Sequence, residues 1–392
     1  MTGRARGSAK DATDGRRDAA ASPGLRRPTL QDVAREARVS VMTASNVVNE
    51  KTDLVREETF LRVRLAIEKL GYRPQMSARA LRLSRSMMVA MLIVMRKRDF
   101  LTNPWMSRLV AGLTTCLSDR GFGLLLQNHG PGELEDSVLQ RLASMDGVCT
   151  ILSGTDEERR SLMGRLSLLQ RPVIAFQEPA PLRGMRDVAV IRQDDHGAGL
   201  AIARHVIECG ARTLLFVEPD FAWPAMAERR RGFAEAIART PGATLRVVRC
   251  SDDSFEAVEH AIGEQLRADK LPDAVLCGNE SVAVAALQML ERANVRVPQD
   301  VLLTAFNAFD SWYLSGRKIT TISFPAYELG EAAGERMLSR LQADAFENRS
   351  LVLPSKLLVG DTTLQATEVP SAATRKAAAK TRRGAPSGAG RR

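Results

Sequence analysis

Apolar positions recur at two different periods along this 392-residue chain, and the change from one to the other falls near residue 86. Between 28 and 73 the spacing is helical. Leu30, Val33, Ala34 and Ala37 stand at i, i+3, i+4 and i+7, which is one buried stripe on a first helix. Thr29 with Asp32 reads as a capping box in which Asp takes the place of Glu. After a tight turn at Arg38-Val39, Ser40 is suited to cap a second helix whose Ala44, Val47 and Val48 face inward. Met42, Ser45, Asn46 and Asn49 form the opposite stripe, expected to point away from the core. A third pattern from Glu57 to Leu70 puts Val63, Ala66, Ile67 and Leu70 on one face and stops at Gly71, which can take the left-handed conformation that ends a helix.

From 87 onward, short apolar runs alternate with amphipathic helices. The predicted strands are Met88 to Met95, Gly123 to Gln127, Val148 to Leu152, Val173 to Phe176, Val188 to Ile191, Thr213 to Val217, Leu245 to Val248, Ala274 to Cys277 and Val301 to Ala305. Between them lie helical patterns such as Trp105 to Asp119, Gly197 to Glu208, Ala225 to Ala238, Phe255 to Ala268 and Val282 to Ala293. Such alternation predicts right-handed β-α-β units and largely parallel sheets. So many strands exceed what one small sheet needs, and two lobes are the economical arrangement.

Charge separates the chain further. Lys and Arg number 56 against 46 acids, but the excess of +10 is concentrated at the ends. Residues 1–27 carry seven basic and three acidic side chains, residues 370–392 carry seven basic and none acidic, and residues 86–369 sum to −5. The segments 1–27 and 367–392 lack hydrophobic periodicity and read as disordered basic tails. No run approaches the apolar length of a membrane span or a signal peptide, so a cytoplasmic protein without a membrane partner is expected. The five cysteines are dispersed and read as reduced core residues, and the four histidines form no cluster with metal-ligand spacing; no metal and no cofactor are expected. Motifs for a phosphate loop or a nucleophile elbow are absent, and Gly197-x-Gly199 lacks the remainder of a dinucleotide fingerprint, so it reads as helix packing. No catalytic residue is nominated, and the chain is not read as an enzyme.

Two short helices joined by a tight turn can place the second in the DNA major groove. Val41, Met42 and Asn46 are the candidate base readers, since Asn pairs with adenine while Val and Met contact thymine methyls. Thr29, Thr43, Ser45 and Asn49 suit phosphates, which set register without reading sequence. The stretches TLQDVAREA, VSVMTASNVVN and LGYRP together resemble the head of the lactose-repressor (LacI/GalR-type) family of bacterial transcriptional regulators. Arg38 stands where that family usually has Gly, and Ala44 where it usually has Val. At Arg38 a turn position that favours positive φ would hold a side chain with a Cβ.

The resemblance implies the rest of the architecture: an all-α helix-turn-helix head at 28–73, a hinge helix at 74–86, and a two-lobed α/β body of the periplasmic-binding-protein type with parallel sheets at 87–366. In the hinge it implies that Leu81 wedges into the minor groove, with Arg79 and Arg82 along it. In the body it is carried by RPVIAF, DDHGAGLAIARHVIECGAR, RRRGF, CGNESVAVAALQMLERANVRVPQDV and TAFNAFD. It places a small-molecule effector in the cleft at the carboxyl ends of the strands. Arg229, Asn279 and Asn307 match family pocket positions, Gln177 stands where an acid is common, and the first pocket loop offers Arg96, Arg98 and Trp105. The surplus of cations over acids at these positions points to an anionic effector such as a sugar acid or phosphorylated sugar, within an expected effector class of sugar or sugar acid. Met42-Thr43 with the Phe-Asn after the late strand resembles the gluconate-operon repressors of the family, which points the same way. The expected protein is a homodimeric regulator, read as a repressor, on a palindromic double-stranded operator. The alternative is an effector-independent DNA binder with a non-functional pocket.

Overall fold

The computed structural model describes residues 28–49, 51–73, 85–96, 99–132, 134–179, 184–220, 222–267, 271–307 and 316–363, in two compact units divided between Leu83 and Ser84. Among its described residues the first unit holds three α-helices, α1 (Leu30–Glu36), α2 (Val41–Val48) and α3 (Glu57–Leu70). Their starts follow the side chains that satisfy the orphan backbone donors of a first turn. Thr29 and Asp32 form the reciprocal capping box, and the Ser40 hydroxyl accepts from the Thr43 amide at 3.0 Å. Gly71, at φ 60°, closes α3. The core joining the three helices is made of Val33, Ala34, Ala37, Ala44, Val47, Val63 and Ala66. Small residues predominate in it, as close approach of such short helices requires.

The second unit has two six-stranded sheets. The first contains β1 (Met88–Val94), β2 (Gly123–His129), β3 (Gly147–Leu152), β4 (Val173–Phe176), β5 (Val188–Gln193) and β11 (Ser350–Leu353), in the order β11-β5-β4-β3-β1-β2 with every pair parallel. The second contains β6 (Thr213–Pro219), β7 (Thr244–Cys250), β8 (Ala274–Cys277), β9 (Leu302–Phe306), β10 (Thr320–Ser323) and β12 (Lys356–Leu358), in the order β12-β10-β9-β8-β6-β7. Only β12 is antiparallel to its neighbour. Leaving out β11 and β12, both lobes share one strand order. Each of the nine strands expected from the sequence is present, several extended by one to two residues, whereas β10, β11 and β12 are additional. They are short, polar or at a sheet edge, so they carry little apolar signal.

Among the described residues, eight helices cover the sheets: α4 (Pro104–Ser118), α5 (Asp136–Ala143), α6 (Asp156–Ser167), α7 (Asp195–Glu208), α8 (Pro224–Ala238), α9 (Phe255–Arg267), α10 (Glu280–Arg292) and α11 (Ala326–Gln342). Two pairs of them meet backbone to backbone. A Cβ on Gly112 of α4 would lie 2.0 Å from the Tyr327 carbonyl oxygen of α11, and one on Gly232 of α8 would lie 2.2 Å from the His196 carbonyl oxygen of α7. Gly199 approaches the Arg229 carbonyl in the same way and so serves helix packing as expected, whereas a Cβ on Gly197 would meet the Asp194 side chain that caps its own helix. The chain passes between lobes after β5, after β10 and between β11 and β12. Those crossings bring the carboxyl ends of both parallel sheets to one cleft.

Candidate functional site

The outward surface of α2 is the candidate nucleic-acid interface. Val41 and Met42 stand in its first turn with 45% and 71% of their surfaces exposed, large apolar side chains left in water. Asn46, one turn further on, is half-buried, as is Thr43, whose hydroxyl shares a hydrogen bond of 2.9 Å with that of Ser40. Thr29 donates its hydroxyl to the Asp32 carboxylate at 2.7 Å, within the capping box. Ser45 departs from expectation: it is only 6% exposed and turned inward, and its hydroxyl accepts from the Asn49 side-chain amide at 3.2 Å. Asn49 itself is exposed, and its Nδ2 also donates to the Ser45 carbonyl at 2.6 Å. The reason is that α2 has helices against it on two sides and buries a wider arc than one stripe. Arg79, Leu81 and Arg82 lie outside the described residues, as does Arg98 of the body.

In the second unit, a cleft opens between the lobes, lined by Trp105, Phe176, Trp223 and Met226 among its apolar residues and by Asn103, Gln177, Gln193, Arg229, Asn279 and Asn307 among its polar ones. Each polar group arrives on a recognisable element. Asn103 caps α4, accepting from the Trp105 amide at 3.0 Å. Asn279 caps α10, accepting from the Val282 amide at 2.9 Å, and donates Nδ2 to Asp253 at 3.2 Å. Gln177 follows β4 and Asn307 follows β9, at the same place in their respective lobes, and both take the left-handed backbone at φ 62° and 70°. Non-glycine residues in that region cost of order 1–3 kcal/mol and collect at functional sites. Thus Trp105, Gln177, Arg229, Asn279 and Asn307 come together, while exposed Arg96 stands apart in the outer, wider part of the opening beside Glu158, Asp220, Asp252 and Asp253.

Beneath the cleft runs a buried relay. Trp105 donates its indole N–H to Gln193 Oε1 at 2.9 Å, Gln193 donates Nε2 to Asp195 Oδ1 at 3.1 Å, and Arg229 donates Nε to the same oxygen at 2.8 Å. A second nitrogen of Arg229 reaches the Gly278 carbonyl at 2.5 Å. The guanidinium lies over Phe306 and Phe324, 4.2 and 5.3 Å from their ring centroids. Arg229 is 2% exposed and Asp195 4%. Burial pushes the Asp195 carboxyl above the usual carboxylate range and lowers the guanidinium, each opposed by the charge of the other. The Asn307 Oδ1 is buried and accepts no hydrogen bond among the described residues. Such an atom costs roughly 1–3 kcal/mol until a donor arrives. Behind Gln177, Glu178 pairs with Arg159 at 3.1 Å in a second buried ion pair, and burial raises the Glu178 carboxyl.

Sequence reasoning missed Asn103, Gln193, Asp195, Trp223 and Met226. Asn103 was detectable as a cap before Pro104; Gln193, Trp223 and Met226 reach the cleft, and Asp195 the ion pair beneath it, only through the lobe crossings. The inner lining carries no Ser, Cys, His, Lys, Asp or Glu among the described residues, so no nucleophile and base face each other there. No group of three or more His, Cys, Asp or Glu able to hold a metal occurs among the described residues, and no helix there is long and apolar enough to cross a membrane.

A three-helix head of helix-turn-helix form with a two-lobed, cleft-bearing α/β body defines the class of ligand-responsive transcription regulators. The profile of the bacterial regulatory proteins of the lacI family matches residues 29–75, and that of the periplasmic binding protein-like domain matches residues 203–363. The head at residues 29–75 is a DNA-binding domain of the lacI family, residues 203–363 are a periplasmic binding protein-like domain, and the chain is a DNA-binding transcriptional regulator. It is 28% identical over 337 residues to the HTH-type transcriptional repressor PurR of Photobacterium profundum, covering 84% of this chain and 97% of that one. It is 29% identical over 339 residues to the ribose operon repressor of Escherichia coli (strain K12), covering 84% and 98%. Its fold is similar to that of the lac repressor dimer bound to operator and the anti-inducer ONPF, with a TM-score of 0.75 at 19% identity over 86% of this chain and 99% of the other.

Proposed function

We propose that the protein binds a palindromic operator as a homodimer and is switched by a small polyhydroxylated effector, a sugar or sugar acid, held without turnover in the cleft. The observation that carries this reading is the exposed pair Val41 and Met42 on the first turn of a capped helix, apolar surface that a thymine-lined major groove covers. Asn46 reads adenine beside them, and Thr29, Thr43 and Asn49 set register on phosphates. The segment 74–86 acts as the hinge, with Leu81 as the minor-groove wedge between Arg79 and Arg82. In the body, Asn103, Trp105, Gln177, Arg229, Asn279 and Asn307 receive the effector, whose hydroxyls satisfy the orphaned Asn307 Oδ1. Arg96 stands at the entrance rather than in the inner cleft, and Arg98, outside the described residues, is proposed to join it in meeting the effector. Because polar groups from both lobes converge there, the effector stabilises one lobe angle over another, and its differential affinity for the two sets the strength of the switch. The names of the relatives, the transcriptional repressor PurR and the ribose operon repressor among them, support repression as the output.

The test is selection from a randomised palindrome library with the purified full chain, followed by gel shift on the selected site with and without neutral sugars and sugar acids. A two-fold site, weakened at least tenfold by Met42→Ala or Leu81→Ala and released or tightened by one small molecule, is the expected result. Binding with no site preference overturns the operator reading, and a site indifferent to every ligand leaves an effector-independent DNA binder.

A further inference from the structure

Arg229 is the only formally charged residue lining the inner cleft among the described residues. Its charge is already answered from below. Asp195 takes the Nε proton, the Gly278 carbonyl takes another, and the flat face of the guanidinium rests against Phe306 and Phe324. The carboxylate is held in turn by the side-chain amides of Gln193 at 3.1 Å and Gln177 at 3.5 Å, so it cannot swing away without stranding several buried groups. The cleft therefore presents amides and aromatic rings over a neutralised ion pair, although a count of its cations suggests an anion site. Asn307 supplies an independent observation. Its orphaned Oδ1, on a residue 9% exposed, calls for a donor, which a ligand hydroxyl provides and a bare anion does not, so it favours a polyhydroxyl ligand while the charge balance at Arg229 decides between neutral and acid forms.

We propose that Asp195 is the specificity-determining residue of the cleft, cancelling the charge of Arg229 so that the site takes a neutral polyhydroxyl ligand and rejects sugar acids and sugar phosphates. This rests on the reading of the cleft as the effector site, and it replaces the broader class of sugar or sugar acid with a neutral one. An anion brought against Arg229 would also face the Asp195 carboxylate through a low-dielectric wall, which is how a site rejects a near-isostere. Asp195 does not touch the ligand. It acts through Arg229, and its removal changes which charge the cleft prefers rather than merely weakening everything.

The experiment uses the full-length protein and matched probes: D-glucose with D-gluconate, D-galactose with D-galacturonate, and inorganic phosphate, read by thermal shift and titration calorimetry. Wild type is expected to show no response to the anions, or to bind each at least about tenfold more weakly than its neutral partner. D195N, of the same shape and able to accept the Nε hydrogen bond, is expected to gain at least about tenfold in affinity for an anion of the set. D195N/R229Q, with no charge left, is expected to lose that gain. Asp195→Ser is a second route to an uncancelled guanidinium should D195N fail to fold, and circular dichroism checks each variant before titration. A wild type that binds an acid more tightly than its neutral partner overturns the proposal, as does a folded D195N and a folded Asp195→Ser that both ignore every anion. If wild type binds no neutral sugar of a broad panel, the effector reading fails, while the anion response of the variants still decides the role of Asp195.

Discussion

Arg38 holds φ 55° in the turn between α1 and α2, a conformation that costs an L-residue roughly 1–2 kcal/mol and a glycine nothing. Glycine loses about 0.5–1 kcal/mol through its freer unfolded chain, so Arg38→Gly should stabilise the head by a net of about 0.5 kcal/mol. Hydrogen exchange of the α1 and α2 amides in the full chain checks this, and faster exchange in the variant contradicts it. The same substitution removes a cation beside the proposed interface, so its DNA affinity should fall at low salt while the head becomes more stable. The strain at Arg38 was legible through the resemblance, which puts Gly at this turn position, and not from the turn alone. Ser45 was not: a helical stripe states what one neighbour buries, and α2 has two. Asp195 was equally hidden, an unremarkable acid in DDHG until the fold sets Arg229 against it at 2.8 Å.

At the scale of elements, the relay beneath the cleft depends on α7 and α8 lying in backbone contact. Asp195 begins α7 and Arg229 sits in α8, and the pair meets only because Gly199 and Gly232 remove the Cβ atoms that would separate the helices. Gly232→Ala places a methyl 2.2 Å from the His196 carbonyl oxygen and 2.5 Å from the Leu200 amide nitrogen, both backbone atoms that cannot turn aside. Overpacking of this kind costs about 1–3 kcal/mol, and the expected result is a lowered denaturation midpoint together with weakened effector binding. A variant with full stability and full ligand affinity would show that the helices shift freely and that the ion pair does not depend on their spacing. The elements themselves were readable where periodicity was strong, as in β1, β3, β4, α4 and α8. Polar β10 and three-residue β12 left no such trace, and tertiary pairing establishes them; the largely polar α6 is marked only by the Thr155–Glu158 capping box at its start.

Over the whole molecule, charge and chemistry are divided between regions. The body from 86 to 369 sums to −5 and repels a polyanion, so attraction to DNA has to come from the head and from the terminal segments. Residues 370–392 contribute seven cations and no anion, without any pattern that could read a base. Each of those cations that meets a phosphate steepens the fall of log K with log salt by about 0.9. Removing residues 370–392 should therefore flatten that slope by several units and lower the affinity for every DNA sequence at low salt. The ratio of specific to non-specific binding should stay as it was, since Val41, Met42 and Asn46 are untouched. Fluorescence anisotropy on the selected operator and on a scrambled duplex, each across a salt series, separates the two quantities. An unchanged slope would mean that these residues do not meet DNA, and a changed ratio would mean that the tail reads sequence, which its composition gives it no means to do. The two-lobed plan was legible from strand and helix alternation, but this division of labour emerges only when charge is summed region by region and set against where the structure puts its exposed apolar side chains.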